Sequence, residues 1–101
     1  MNELPVPDGA LQSKDADEFI RFWVVEGSEM VSLNVGCFGR DEAGTWGMMI
    51  ADLSVHIVRA LMQKGFAGSE DELRAQIEQG YLGRLSAKGI DHSGSLIGTR
   101  N

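Results

Sequence analysis

The first regular pattern in the sequence consists of two short hydrophobic runs separated by four polar residues. Residues 19–25 are aromatic or β-branched except for Arg21, and residues 30–37 alternate between apolar and polar side chains. Alternation with a period of two is typical of a strand with one buried face. Between the runs, Gly27 stands at the first central position of a two-residue type II′ turn. The pattern predicts an antiparallel β-hairpin.

The turn predicts a register for this hairpin. With Glu26 opposite Glu29, one face becomes apolar throughout, as a core-facing register requires. The predicted pairs on that face are Val24 with Val31, Phe22 with Leu33, and Ile20 with Val35. The predicted pairs on the other face are Val25 with Met30, Trp23 with Ser32, Arg21 with Asn34, and Phe19 with Gly36.

An alternative interpretation makes residues 15–23 a helix. Asp15 and Glu18 would then form a capping box, and the apolar stripe would consist of Phe19, Phe22 and Trp23. The register fit favours the strand, because an apolar face that needs no adjustment seldom arises by chance.

A long helix is predicted from about Glu42 to Lys64. Asp41 is the expected N-cap, and Gly65 suits the left-handed position that follows a helix. Phe66 is placed to contact Leu61, the hydrophobic contact that accompanies a Schellman ending.

This helix is apolar on nearly all sides. One seam consists of Trp46, Ile50, Leu53, Ile57 and Leu61. Nearly opposite lies a second seam, which consists of Met48, Ala51, Val55, Val58 and Met62. Between them runs a narrow polar stripe, with Asp52, His56, Arg59 and Gln63. A helix of this kind must be covered on nearly all sides.

A second, shorter helix begins at the capping-box sequence Ser69-Glu70-Asp71-Glu72. Its apolar stripe is narrow and consists of Leu73, Ile77 and then Tyr81 or Leu82. The prediction is therefore an α+β fold of β-β-α-α order, with the hairpin packed on the long helix. Residues 1–14 are expected to form an irregular arm, 15–85 a single domain, and 86–101 a flexible tail.

The predicted elements have more apolar surface than one chain can cover. The hairpin covers one helix seam, the second helix covers part of the other, and the outer hairpin face stays apolar. We therefore expect a homo-oligomer, with a two-fold dimer favoured. The expected interface residues are Phe19, Trp23, Val25, Met30, Met48, Val55, Val58 and Met62.

Composition narrows the classes of partner. The 101 residues carry 15 acidic and 9 basic side chains, for a net charge of −6, and the basic residues are scattered. Binding to nucleic acid or to an anionic membrane needs a clustered positive surface, so neither partner is expected. The lone Cys37 cannot form an internal disulfide, which favours a reducing compartment. The first nine residues lack a signal-peptide pattern, so a cytoplasmic protein is predicted.

Candidate chemistry is confined to the polar stripe of the long helix. Asp52 and His56 stand four residues apart and project from one helix face. Together they could ligate a metal, and a two-fold partner would double the number of ligands. They could instead act as a general-base pair, or form a structural hydrogen-bond ladder with Arg59. The ladder is favoured, because a third metal ligand is missing. No metal, cofactor or catalytic residue is predicted.

Two further residues are candidates for ligand contacts. Trp46 with Gly47 at the helix start would let a ligand approach free backbone N–H groups, although such a glycine more often admits a bulky neighbour. Arg21 could hold an anion, but an ion pair with an acidic residue across a subunit interface is favoured. The candidate ligand-binding residues are Asp52, His56, Arg59 and Trp46.

Several short motifs resemble those of a family of small bacterial proteins of unknown function, chiefly from alphaproteobacteria. They are Arg21-Phe22-Trp23, Val31-Ser32-Leu33, Trp46-Gly47, Asp52 and His56, within residues 16–64. The resemblance implies only that the hairpin and helix recur together and that the pairing of Asp52 with His56 is not accidental. It carries no activity, substrate or cofactor.

Two functions follow as expectations. The first is a non-enzymatic homo-oligomeric protein with a structural or partner-binding role. The second is a small-ligand or metal-binding domain that uses Asp52, His56 and Arg59 at a subunit interface.

Overall fold

The structure is a computed structural model that describes residues 1–87 and 97–99. Its elements are α1 (Asp8–Gln12), β1 (Ile20–Val25), β2 (Ser28–Leu33), a 3-10 turn (Gly39–Asp41), α2 (Glu42–Gln63), α3 (Glu70–Ser86) and β3 (Ile97–Thr99). The chain forms two compact units, a hairpin unit with Met1–Val35 and β3, and a helical unit that begins at Gly36. A hairpin followed by a long and a shorter helix confirms the predicted α+β class.

The hairpin turn differs from the predicted one. Glu26 and Gly27 are its two central residues, with φ angles of 50° and 83°. Positive φ at both positions defines a type I′ turn, whose twist matches that of the flanking strands. The predicted type II′ turn was therefore wrong, because Gly27 occupies the second central position instead of the first.

The strand register shifts with the turn. Phe22 lies opposite Val31 and Ile20 opposite Leu33, so each predicted partner was wrong by two residues. A shift of two leaves every side chain on its predicted face, whereas a shift of one would have exchanged the faces. Ile20, Phe22 and Val24 thus still share one face with Val31 and Leu33. The alternative helix over residues 15–23 was wrong.

A third strand joins the sheet. The strand order is β1-β2-β3, and β3 runs parallel to β2 with Ile97 opposite Glu29. This strand lies within the predicted flexible tail, and Ser86 at the start of that tail is the last residue of α3. The remaining tail residues, 88–96 and 100–101, lie outside the described part of the chain. In the predicted irregular arm, five residues form α1.

The ends of α2 follow the sequence closely. The Phe66 N–H donates to the Leu61 carbonyl at 3.1 Å, and the Gly65 N–H donates to the Met62 carbonyl at 3.0 Å. With Gly65 at a φ of 85°, these bonds form the predicted Schellman ending. At the other end Asp41 precedes the helix as predicted, but its side chain forms no capping hydrogen bond.

The predicted capping box begins α3. The Glu72 N–H donates to Ser69 Oγ at 3.1 Å, and the Ser69 N–H donates to Glu72 Oε1 at 2.9 Å. The hydrogen bond from the Ser69 backbone, with a smaller contribution from the Ser69 side chain, lowers the pKa of Glu72. Both bonds satisfy backbone donors that a helix start otherwise leaves unpaired.

The core of the described residues is small. Val58 on α2 and Leu73 on α3 are 2% and 5% exposed, and they are the buried hydrophobic residues of the described chain. The two helices contact each other, so this pair marks the centre of the helical unit. The packing of the hairpin on the long helix stays a prediction. None of the helices in the described part is both long and apolar enough to cross a membrane.

Candidate functional site

The polar stripe of α2 presents its charged side chains to solvent. Asp52, His56 and Arg59 are all exposed. Within residues 1–87, no hydrogen bond or ion pair joins these side chains, so the predicted ladder does not form there. The described residues also contain no cluster of three or more potential metal ligands. A single chain therefore offers Asp52 and His56 as an open pair of possible ligands.

Trp46 belongs to a different cluster, which is centred on Glu42. The Glu42 carboxylate accepts hydrogen bonds from the Gly36 N–H at 2.9 Å, the Phe38 N–H at 2.8 Å and Trp46 Nε1 at 2.8 Å. The ring of Phe38 also meets the ring of Trp46 edge to face, with centroids 6.5 Å apart. The loop before α2 is therefore fastened to the first turn of the helix.

The hydrogen bonds of this cluster favour the ionised form of the Glu42 carboxyl. The hydrogen bonds from the Gly36 and Phe38 backbones, with a smaller contribution from Trp46, lower the pKa of Glu42. They do so because they stabilise the ionised carboxylate. The arrangement is structural, since both the carboxylate and the indole N–H are used within the helical unit. Glu42 was not among the site residues predicted from the sequence, where its only signal was the four-residue spacing from Trp46.

The space beside Gly47 is open. A Cβ atom built at this position would meet no atom within 4 Å in the surroundings of the glycine. The glycine thus admits no bulky neighbour in the described structure. The expectation that a ligand approaches the backbone there stays a prediction.

Arg21 pairs with acidic residues of its own chain. Its Nη1 lies 2.8 Å from Glu3 Oε2, and its Nε lies 2.8 Å from Glu18 Oε1. The hydrogen bonds to Glu18 and Glu3 raise the pKa of Arg21. The guanidinium is therefore neutralised by the segment before β1 and by the N-terminal arm. These two contacts within one chain take the place of the ion pair between subunits that was predicted for Arg21.

A groove of about 550 Å³ lies between the N-terminal arm and β1. The arm contributes residues 2–7 and Ala10 to its lining, and the other side is formed by residues 16–18 and 20–23. Its lining combines apolar side chains with the Glu3, Glu18 and Arg21 trio. This groove belongs entirely to the hairpin unit, and no pattern in the sequence predicted it.

Large apolar side chains are exposed in both units. On α2, Ile50, Leu53 and Ile57 of the first seam are 43%, 46% and 41% exposed, whereas Val58 of the second seam is buried. On β1, Phe22 and Val24 are 58% and 65% exposed. Of the other predicted interface residues, those exposed are Val25, Met30, Met48 and Met62, and those half-buried are Phe19, Trp23 and Val55. Each seam thus has three exposed residues, and the first seam differs from the second in having no buried member.

Comparison with known proteins identifies a family and a fold. The family model described as "Domain of unknown function (DUF5076)" matches residues 3–89. No curated protein matches the sequence. One matching solved structure is described as "Structure of a putative pyruvate dehydrogenase from the photosynthetic bacterium Rhodopseudomonas palustrus CGA009". It is 22% identical, covers 85% of this chain and 95% of that chain, and gives a TM-score of 0.61. At that identity the likeness shows the fold alone.

Proposed function

We propose that this chain, which belongs to the DUF5076 family, is a non-enzymatic protein that assembles with a second copy of itself in a structural or partner-binding role. The observation that carries the proposal is the open first seam of α2. Ile50, Leu53 and Ile57 are each more than two-fifths exposed, and their three- and four-residue spacing is that of a helix–helix contact.

The energetics of burial support assembly. Covering apolar surface gains about 25 cal/mol for each Å² removed from water. The described chain buries Val58 and Leu73 and leaves nineteen large hydrophobic side chains exposed. Three of these, Ile50, Leu53 and Ile57, lie together on one face of α2, and a contiguous exposed apolar surface is typical of an interaction site. A second copy is the simplest partner, because most soluble oligomers are symmetric homo-oligomers and dimers predominate.

We propose that the assembly lies in the bacterial cytoplasm. Cys37 is the single cysteine of the sequence and is exposed, and a chain with one cysteine and no internal disulfide suits a reducing compartment.

Light scattering after size-exclusion chromatography tests the proposal. We expect the native chain to elute with a mass of at least twice 11.0 kDa. Leu53→Glu, which places a charge in the seam, is expected to dissociate at a higher protein concentration than the native chain. Gln63→Glu adds the same charge on the exposed polar stripe and is expected to leave the assembly intact. Circular dichroism verifies that each variant is folded, and an assembly indifferent to Leu53→Glu would overturn the role of the seam.

A second candidate function is a metal or small-ligand site on the polar stripe. It is favoured by the exposure of Asp52 and His56, which lie one helical turn apart and have no partner in the described residues. Two copies related by a two-fold axis would double these ligands, with Arg59 alongside. Thermal shift with Zn²⁺ tests it: a rise in melting temperature that His56→Ala abolishes supports the site. An equal response in both proteins refutes it.

A further inference from the structure

The outer edge of β1 is open to pairing. In the order β1-β2-β3, β2 occupies the inner edge of β1, and no strand within residues 1–87 and 97–99 pairs with the outer one. Val25 and Ser28 close the two-residue hairpin, so their backbones bond to each other. Alternation then turns the N–H and C=O groups of Trp23 and Arg21 towards β2. The bond from the Asn34 N–H to the Phe19 carbonyl, at 3.0 Å, fits this parity.

The outward groups therefore belong to Ile20, Phe22 and Val24. Their side chains are also exposed, by 37%, 58% and 65%. Edge strands usually carry a proline, a lysine or a bulge that discourages pairing with another chain. Residues 20–25 contain none of these, and their one charged side chain, Arg21, is paired with Glu3 and Glu18. No residue of the strand itself therefore blocks a second strand.

The groove beside the arm runs along the same edge. Ile20 and Phe22 line it from one face of β1, while Arg21 and Trp23 line it from the other. Side chains of both faces meet one space only at a strand edge, and β2 occupies the inner edge. The groove therefore lies beside the outward N–H and C=O groups, with residues 2–7 of the arm on its other side, so pairing with a second copy displaces the arm from β1.

We propose that the outer edge of β1 pairs with β1 of a second copy, antiparallel about a two-fold axis at Phe22. In this register Phe22 lies opposite Phe22 of the other copy, and Ile20 lies opposite Val24. The apolar face then continues across the axis. On the other face Arg21 lies opposite Trp23, a pairing in which a guanidinium can stack on an indole. The inference rests on the proposed function in one respect, namely that the partner is a second copy.

Charge and length favour this register over its neighbours. The outward groups restrict symmetric pairings to shifts of two residues. A shift in one direction sets Arg21 opposite Arg21 of the other copy, and like charges directly opposite are destabilising. A shift in the other direction centres the pairing on Trp23 and leaves Ile20 without a partner in β1. Centring on Phe22 pairs the whole apolar set.

Engineered cysteines test the register in the full chain carrying Cys37→Ser. Directly opposite, hydrogen-bonded residues have Cα atoms about 5.5 Å apart, within the range of a disulfide. Under oxidised glutathione, Phe22→Cys is expected to give a covalent dimer. Ile20→Cys and Val24→Cys are each expected to stay uncrosslinked alone and to give a mixed covalent dimer when combined. Equal crosslinking of the three single-cysteine variants would overturn the proposal. So would the absence of crosslinking in the Phe22→Cys variant when the native chain assembles.

A proline supplies a second measurement. Phe22→Pro removes an outward N–H while leaving the bonds to β2 in place, and Phe22→Ala removes the ring but keeps the N–H. We expect the proline variant to dissociate at a concentration about tenfold or more above that of the alanine variant, because two intersubunit bonds are lost. Equal dissociation of the two variants would overturn edge pairing. A native chain of single-chain mass would instead refute the proposed function itself, so the two failures are distinguishable.

Discussion

Trp46 Nε1 donates a hydrogen bond to Glu42 Oε2 at 2.8 Å, and this contact joins the first two turns of α2. The same carboxylate accepts from the backbones of Gly36 and Phe38. Glu42 thus orders the loop before the helix in the place where Asp41 forms no capping bond. This carboxylate therefore joins Gly36 and Phe38 to the start of α2.

The stability of the helical unit is expected to decrease in acid. The pKa of Glu42 in the fold is lowered from its ordinary value of 4.5, chiefly by the Gly36 N–H. A carboxyl of this kind stabilises the fold above its unfolded pKa, and the contribution is lost as the pH falls through the folded pKa. Denaturant melts between pH 7 and pH 3 should show lower stability below about pH 4.5.

Glu42→Gln is expected to lower the melting temperature at pH 7 and to reduce the pH dependence. The amide supplies one neutral oxygen in place of two charged ones, so at least one of the three donors loses its acceptor. Asp41→Asn is the matched control, since the Asp41 side chain makes no capping bond. Glu72 has a lowered pKa as well, so part of the dependence should persist. Equal pH profiles for Glu42→Gln and the native chain would contradict the assignment.

Leu73→Ala should destabilise the chain more than any exposed apolar truncation. Leu73 is 5% exposed, and deletion of a buried leucine side chain costs about 2–5 kcal/mol. Leu85→Ala, on the same helix but 64% exposed, is expected to cost far less. Urea unfolding of both variants measures the difference, and similar losses would show that the centre of the helical unit lies elsewhere.

Glu26→Asn is expected to stabilise the hairpin. Glu26 has a φ of 50°, a conformation that costs most residues roughly 1 kcal/mol and that asparagine tolerates best. Asn-Gly is also the preferred sequence of a type I′ turn. Glu26→Gln removes the same charge without this preference, and it should leave the melting temperature unchanged. A gain that appears equally in both variants would assign the effect to charge.

Ser69→Ala should weaken the start of α3. The hydroxyl accepts from the Glu72 N–H, and the loss of such a cap costs about 1 kcal/mol. Ser54→Ala is the control, because Ser54 lies inside α2 and bonds only its own helix backbone. Thermal unfolding should separate the two variants, and equal melting temperatures would mean that the capping box adds little.

The hairpin shows how far an alternating pattern can predict structure. Alternation assigned Phe22 and Val31 to one face, because a side chain's face depends only on whether its position is odd or even. It could not fix their pairing, since registers two residues apart have identical faces. The turn decides between them, and Glu26 is an unusual residue for a left-handed conformation. The type I′ turn therefore gave no clear signal.

The helices were predicted more completely than the contacts around them. Gly65 ends α2 and Ser69 begins α3 through local hydrogen bonds, which short sequence motifs encode. The partners of Glu42 and Arg21 depend on the course of a loop and of the N-terminal arm. The course of such irregular segments leaves no periodic trace, so the contacts of Glu42 with Gly36 and Phe38 and of Arg21 with Glu3 could not be predicted.

Sedimentation equilibrium of the native chain from low to high micromolar concentration tests the central claim most directly. Assembly through a second copy predicts a mass of twice 11.0 kDa or a larger whole multiple, with dissociation only on dilution. A constant mass of 11.0 kDa across the range would contradict it.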